Sequence, residues 1–214
     1  MPSPTSASPR ENRRANELAQ RRTDALTAAS AVFASKGYHG AQMTEIAAAA
    51  ELSRATLYSM FTGKEDLYQE VVSTAAAAVR DVVRQNVESL DDPAQQLLCV
   101  IDSLFSCYEE DENLLRIYAL ATHGLPFKIR GTMGDSVLEI FVAFTEWVIR
   151  IAKRAKRAGY LHGLDPEAVG VALVGTVTTT AVHWLETTPD RPLSRAAPPV
   201  NAVFQQLLGA RGTS

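Results

Sequence analysis

From Ala25 onward, apolar residues recur at helical spacing. Ala25, Leu26, Ala29, Val32 and Phe33 form one stripe, and Gly37 follows where a left-handed helix stop is expected. Met43, Ile46, Ala47 and Ala50 repeat at i, i+3, i+4, i+7 and predict a short second helix near 42–49. Ser53 is a side-chain cap for a third helix over 53–61. Thr62-Gly63-Lys64-Glu65 reads as a capping box, with Thr62 at the cap and Glu65 three residues on. It opens a fourth helix that runs to about Val87, ~36 Å at 1.5 Å per residue. Asp92-Pro93 and Asp165-Pro166 each pair an N-cap with proline at the first helical position. Arg150, Lys153, Arg154, Lys156 and Arg157 precede Gly159 and suit the negative end of a helix. Residues 171–177 are β-branched but follow a helix start, and no segment sustains the strand period. The predicted class is all-α: an N-terminal three-helix, helix-turn-helix domain joined by a long helix to a C-terminal helical domain.

Composition adds boundaries and exclusions. Residues 1–15 are rich in Pro, Ser and charge and are expected to be a disordered tail; no apolar run follows as in a signal peptide. The helix-turn-helix domain is expected over 16–64 and the C-terminal helical domain over 65–214. Residues 1–64 carry three more cations than acids, although the whole chain is at −3, so an anionic partner is expected at this end. Cys99 and Cys107, on one helix, lie ~12 Å apart along its axis, too far for a disulfide, and two cysteines suit a reducing compartment. No uninterrupted apolar stretch approaches the ~20 residues of a membrane span. A cytoplasmic protein without a membrane anchor is expected. The four histidines are scattered and no His or Cys pair has metal-ligand spacing. There is no Ser/His/Asp set, carboxylate pair or glycine-rich phosphate loop with supporting context, so no enzyme, metal or cofactor is expected. A helical enzyme is the competing class, and it would leave residues 53–64 unexplained.

Two short helices joined by the turn Ala50-Glu51-Leu52 form a helix-turn-helix. Leu57, Met60 and Phe61 mark the inward face of the third helix. Arg54, Ala55, Thr56 and Ser59 leave its other face small, as close approach to a major groove ~12 Å wide requires. Each residue also has an ordinary reading as surface. Tyr58 can rest its ring on the protein and offer its hydroxyl to a phosphate, and Lys64 lies where free helix amides favour one.

These residues carry a resemblance. Residues 26–67 resemble the DNA-binding domain of TetR-family transcriptional regulators: Phe33-Ala-Ser-Lys-Gly-Tyr38, Met43-Thr-Glu-Ile-Ala-Ala-Ala-Ala50, Ser53-Arg-Ala-Thr-Leu-Tyr-Ser-Met-Phe61 and Lys64-Glu-Asp-Leu67. The resemblance implies DNA contacts at Gln42, Thr44, Ser53, Arg54, Ala55, Thr56, Tyr58, Ser59 and Lys64. It departs at Glu51, where the family usually has Gly; a left-handed residue there costs about 1–2 kcal/mol. It departs again at Gln42, which replaces a Thr or Ser cap.

Residues 88–214 carry no recognisable signature. Ala168, Ala172, Gly175 and Thr179 form a small-residue stripe that lets another helix come close, and Val200, Val203, Phe204, Leu207 and Leu208 give a final amphipathic helix. The resemblance implies a homodimer in which the last two long helices of each subunit form a four-helix interface; the alternative is packing only inside one subunit. Phe105, Tyr108, Tyr118, Phe127, Phe141, Phe144 and Trp147 are ordinary core candidates, or the lining of an apolar cavity with Tyr108, Tyr118, Thr122 and His123 as its polar groups. The expected function is a repressor released from a palindromic double-stranded operator by a small hydrophobic or aromatic effector. The alternative is a regulator controlled by a protein partner.

Overall fold

A computed structural model describes residues 9–122 and 129–209, and His123 and Phe127 of the expected lining lie outside them. The chain divides into two compact units, residues 1–71 and 72–214. Every described element is helical, with no strand among the described residues.

The first unit holds α1 (Pro9–Gly40), α2 (Met43–Ala49), α3 (Arg54–Met60) and the start of α4 (Lys64–Glu88). Residues 9–15, expected to be disordered, are the first turns of α1. Proline at the start, strong helix formers after it and the i,i+4 pair Arg13–Glu17 extend the packed helix outward without a break. Residues 1–8 lie outside the described chain. Gly37 interrupts α1 at φ 67, the left-handed conformation its lack of Cβ permits. Ala25, Ala29, Phe33, Ile46, Leu57, Phe61 and Leu67 are buried together as the core of this small unit. Phe33, Tyr38 and Tyr68 pack ring on ring. The box before α4 is shifted by one residue from its predicted register. Asp66, not Glu65, reaches back, accepting from the Thr62 amide at 2.8 Å and its hydroxyl at 3.1 Å. The helix begins at Lys64, so Asp66 is its third residue.

The second unit takes the rest of α4, then α5 (Pro93–Glu110), α6 (Glu112–Thr122), α7 (Ile129–Met133), α8 (Asp135–Arg157), α9 (Pro166–Thr187), a 3-10 turn (Leu193–Ala196) and α10 (Ala197–Leu208). Both Asp-Pro starts are as predicted: Asp92 accepts from the Ala94 amide and Asp165 from the Ala168 amide, each at 2.9 Å. Cys99 and Cys107 lie on α5 as free thiols. Helix α9 corrects the reading that no stretch is long and apolar enough to cross a membrane: by length and composition it is, and half of its apolar window is buried inside the unit. It packs on α8 through Gly170, where a Cβ would lie 2.6 Å from Ile149 Cγ1 and 3.0 Å from its Cα. The close approach therefore comes from Gly170 on the inner face. The outer stripe behaves differently. Ala168, Ala172 and Thr179 are exposed, and Gly175 has nothing within 4 Å of where a Cβ would be.

Candidate nucleic-acid interface and apolar cavity

Helix α3 is held at both ends. At its start Ser53 Oγ accepts from the Thr56 amide at 3.0 Å and lies 2.8 Å from Thr56 Oγ1. Near its end the Met60 carbonyl accepts from Arg22 of α1 at 3.0 Å. The same guanidinium makes a two-pronged pair with Glu70 of α4 and lies 4.5 Å above the Phe61 ring. Arg22 thus ties α1, α3 and α4 together. In the sequence it counts only as one more cation, because its partners are 38 to 48 residues away.

Between these ends the outward face is built of small residues. Arg54, Ala55 and Ser59 are exposed, Thr56 is half-buried, and the Tyr58 side chain is 47% exposed while Leu57 beside it is fully buried. The hydroxyls are largely engaged locally: Ser53 with Thr56, and Ser59 with the Thr56 carbonyl at 2.7 Å. Arg54 and Tyr58 have no hydrogen-bond partner among the described residues, and neither do the exposed side chains of Gln42 and Thr44 at the start of α2. Those four side chains keep all their hydrogen-bonding groups unengaged. Lys64 is not a free lysine: its Nζ donates to the Ala41 carbonyl at 3.1 Å and lies 4.7 Å from the Tyr38 ring centre. That fastens the start of α4 to the chain just before Gln42. The turn between α2 and α3 places Glu51 at φ 56, the left-handed conformation anticipated for this position. Lys36 pairs with Glu45 at 2.6 Å, which holds the Glu45 carboxyl below the usual range.

The second unit contains an apolar cavity of about 100 Å³. Val72, Ala76, Val79 and Arg80 of α4 form one wall; Tyr108, Tyr118, Phe141, Phe144, Val174 and Thr178 are among the others. Four of the predicted lining aromatics are therefore brought together. Phe105 is not: it is fully buried in the surrounding core. Trp147 is not either, since it faces a neighbouring surface groove, and buried Thr122 turns its hydroxyl to the Tyr118 carbonyl at 2.7 Å. Even helical spacing on α8 could not separate Phe144 from Trp147, because the two sit on one side and only the placement of α4 decides which meets the cavity. Sequence reasoning also missed Arg80, the cation on the wall, whose Nε donates to Asp81 at 2.8 Å. The Tyr118 hydroxyl is buried without a partner. Burial, with Tyr118 nearby, pushes the Tyr108 phenol up to about 12, so it stays a neutral donor. Of the predicted interface residues on α10, Val203 is 55% exposed but Phe204 is buried in its own subunit's core. Helix α10 presents one face inward against α5, and Phe204 falls on it.

Residues 25–71 match the bacterial regulatory proteins of the tetR family. The chain is 29% identical over 186 residues to the HTH-type transcriptional activator FasR of Mycolicibacterium smegmatis, covering 86% of this chain and 81% of that protein. It is 24% identical over 161 residues to the fatty acid metabolism regulator protein of Bacillus subtilis, covering 75% and 81%. Among solved structures, the transcriptional regulator FadR from Bacillus subtilis in complex with stearoyl-CoA superposes with a TM-score of 0.74 at 22% identity, covering 85% of this chain and 96% of that one; this likeness speaks to the fold. Residues 25–71, which hold a small-faced helix outward in this way, are thus a DNA-binding domain of the tetR family, on a chain that aligns with transcriptional regulators along most of its length.

Proposed function

We propose that the protein is a repressor that binds a near-palindromic operator as a two-fold dimer and is released by a small apolar effector of the long-chain acyl class. In this reading Arg54 reads a base edge in the major groove, Tyr58 and Thr44 hold phosphates, and Gln42 and Lys64 support them from the starts of α2 and α4. Ser53, Ala55, Thr56 and Ser59 keep the helix face close to the groove. The dimer forms through the outer stripe of α9, with exposed Val171, and through Val203 and Leu207 of α10. Two short recognition helices related by a two-fold axis match a two-fold site. A chain of this kind acts in the cytoplasm, where the operator is.

One observation carries the effector reading: one wall of the apolar cavity is α4, the helix that begins at Lys64. At about 100 Å³ the cavity is smaller than the roughly 300–1,000 Å³ of ordinary ligand sites. An acyl chain must therefore widen it, and pushing on Val72, Ala76 and Val79 displaces a helix that continues without a break into the DNA-binding unit. A lining that is apolar apart from Arg80, two phenols and Thr178 suits an acyl chain; a Bacillus subtilis relative is named for fatty acid metabolism, and a Bacillus subtilis FadR of the same fold was solved with stearoyl-CoA. Ligand and operator then oppose each other reciprocally, with a coupling of typically 1–3 kcal/mol. Calorimetry of stearoyl-CoA and stearate with and without operator tests this. Weaker binding in the presence of operator is expected; equal affinity would favour control by a protein partner. A second reading, an activator, is favoured by the name of the Mycolicibacterium relative. Transcription of a reporter placed behind the operator separates the two: adding the protein lowers it for a repressor and raises it for an activator, whichever sign the ligand coupling has.

A further inference from the structure

Beyond the cavity, α8 carries a basic groove that the repressor reading does not use. Trp147, Arg150, Ile151, Lys153, Arg154 and Arg157 line it. It adjoins the cavity on both helices. On α8, Phe144 lines the cavity and its ring centre is 5.5 Å from that of Trp147. On α4, Arg80 lines the cavity, and Arg84 one turn later places its guanidinium 5.5 Å from the Trp147 ring centre.

These cations are not neutralised. Among the described residues none of Arg150, Lys153, Arg154, Lys156 and Arg157 has a carboxylate within ion-pair distance. Arg154 spends a donor on the Gln96 amide oxygen at 2.5 Å. Arg84 reaches Glu88 only at 3.8 Å, and its Nε–H is buried without an acceptor. The helix dipole accounts for cations in the last turn of α8, but its effect fades beyond one turn, and Arg150 and Lys153 lie earlier. The clustering also runs against the acidic balance of residues 65–214.

We propose that this groove is the headgroup subsite of the cavity's ligand, and that it takes the phosphates of an acyl thioester carried on a phosphorylated nucleotide. The inference rests on the reading that the cavity takes an acyl chain. The chain lies against Phe144 and Arg80, the thioester passes Arg84 and Trp147, and the phosphates meet Arg150, Lys153 and Arg157. Guanidinium groups pair with phosphate oxygens in a two-pronged geometry, and several unpaired cations together attract a polyanion far better than a single carboxylate. The subsite makes the protein answer to the activated thioester rather than to the free acid.

The test is titration calorimetry of the full-length protein with stearoyl-CoA, stearate and coenzyme A alone, at two salt concentrations. The wild type is expected to bind stearoyl-CoA at least about tenfold more tightly than stearate, with the advantage shrinking at high salt. R150Q/K153Q, at two exposed positions, is expected to erase about tenfold of the stearoyl-CoA affinity and leave stearate unchanged. F144W, which fills the cavity, should weaken both. Unchanged stearoyl-CoA affinity in R150Q/K153Q overturns the headgroup subsite while leaving the acyl cavity standing. Equal losses for stearate and stearoyl-CoA in that variant overturn it as well. Absence of wild-type binding to both acyl ligands removes the cavity reading, and this inference with it.

Discussion

Arg22 is the perturbation with the clearest structural arithmetic. R22M keeps much of the apolar stem and removes the guanidinium. Three interactions go with it. The two-pronged pair with Glu70 joins side chains that are 40% and 28% exposed, so solvent screens it and about 1 kcal/mol is the appropriate scale. The Met60 carbonyl near the end of α3 loses its donor, worth about 1 kcal/mol. The face-on contact with Phe61 adds roughly 0.5–1 kcal/mol. The expected loss is therefore about 2–3 kcal/mol of stability in the DNA-binding unit. A double-mutant cycle with E70Q, followed by urea unfolding, should return a coupling near 1 kcal/mol. Operator affinity should fall because α3 is no longer fixed, yet the salt dependence of binding should keep its slope, since no phosphate contact has been removed. The reasoning is refuted if R22M leaves stability within about half a kcal/mol of wild type and instead flattens the salt slope by about one unit. Arg22 would then be a phosphate contact and not a brace.

Three further outcomes are expected. R54A should cost about 1–3 kcal/mol on the operator and little on random duplex, whereas Y58F should weaken both alike; fluorescence anisotropy on the two DNAs distinguishes them. E51G should stabilise the first unit by up to about 1.5 kcal/mol in urea titrations, because relief of a left-handed non-glycine residue, about 1–2 kcal/mol, is set against the added freedom of the unfolded chain, about 0.4–1 kcal/mol. Tyr68 and Tyr108 are each pushed up to about 12, chiefly by burial, against an ordinary 10.0. The unfolded chain gives up these protons first, so the contribution to stability is intact below pH 10.0 and is lost as pH rises toward 12; phenolate absorbance during alkaline unfolding should show both tyrosines ionising with the cooperative transition.

Local chemistry was enough to read the helices, the short α3 among them. Apolar spacing, Asp-Pro starts and the Ser53 cap are interactions over four residues or fewer, so a linear sequence displays them. The short, small-faced α3 was legible for the same reason: Leu57 and Phe61 mark the inner side, and what remains is the outer one. The left-handed Glu51 was legible as a departure from an expected glycine. Tertiary structure decided everything that depends on which distant residue comes near. It turned Arg22 from a charge into a clamp, through Met60 and Glu70. It gave Lys64 the Ala41 carbonyl and the Tyr38 ring, and it set Gly170, not the outer stripe, against Ile149. It also divided the aromatic set of the second unit, sending Phe144 to the cavity, Trp147 to the basic groove and Phe105 to the core. Helical periodicity defines a side of a helix but not the neighbour on that side, and in an all-helical unit the neighbour is chosen by packing across long sequence separations.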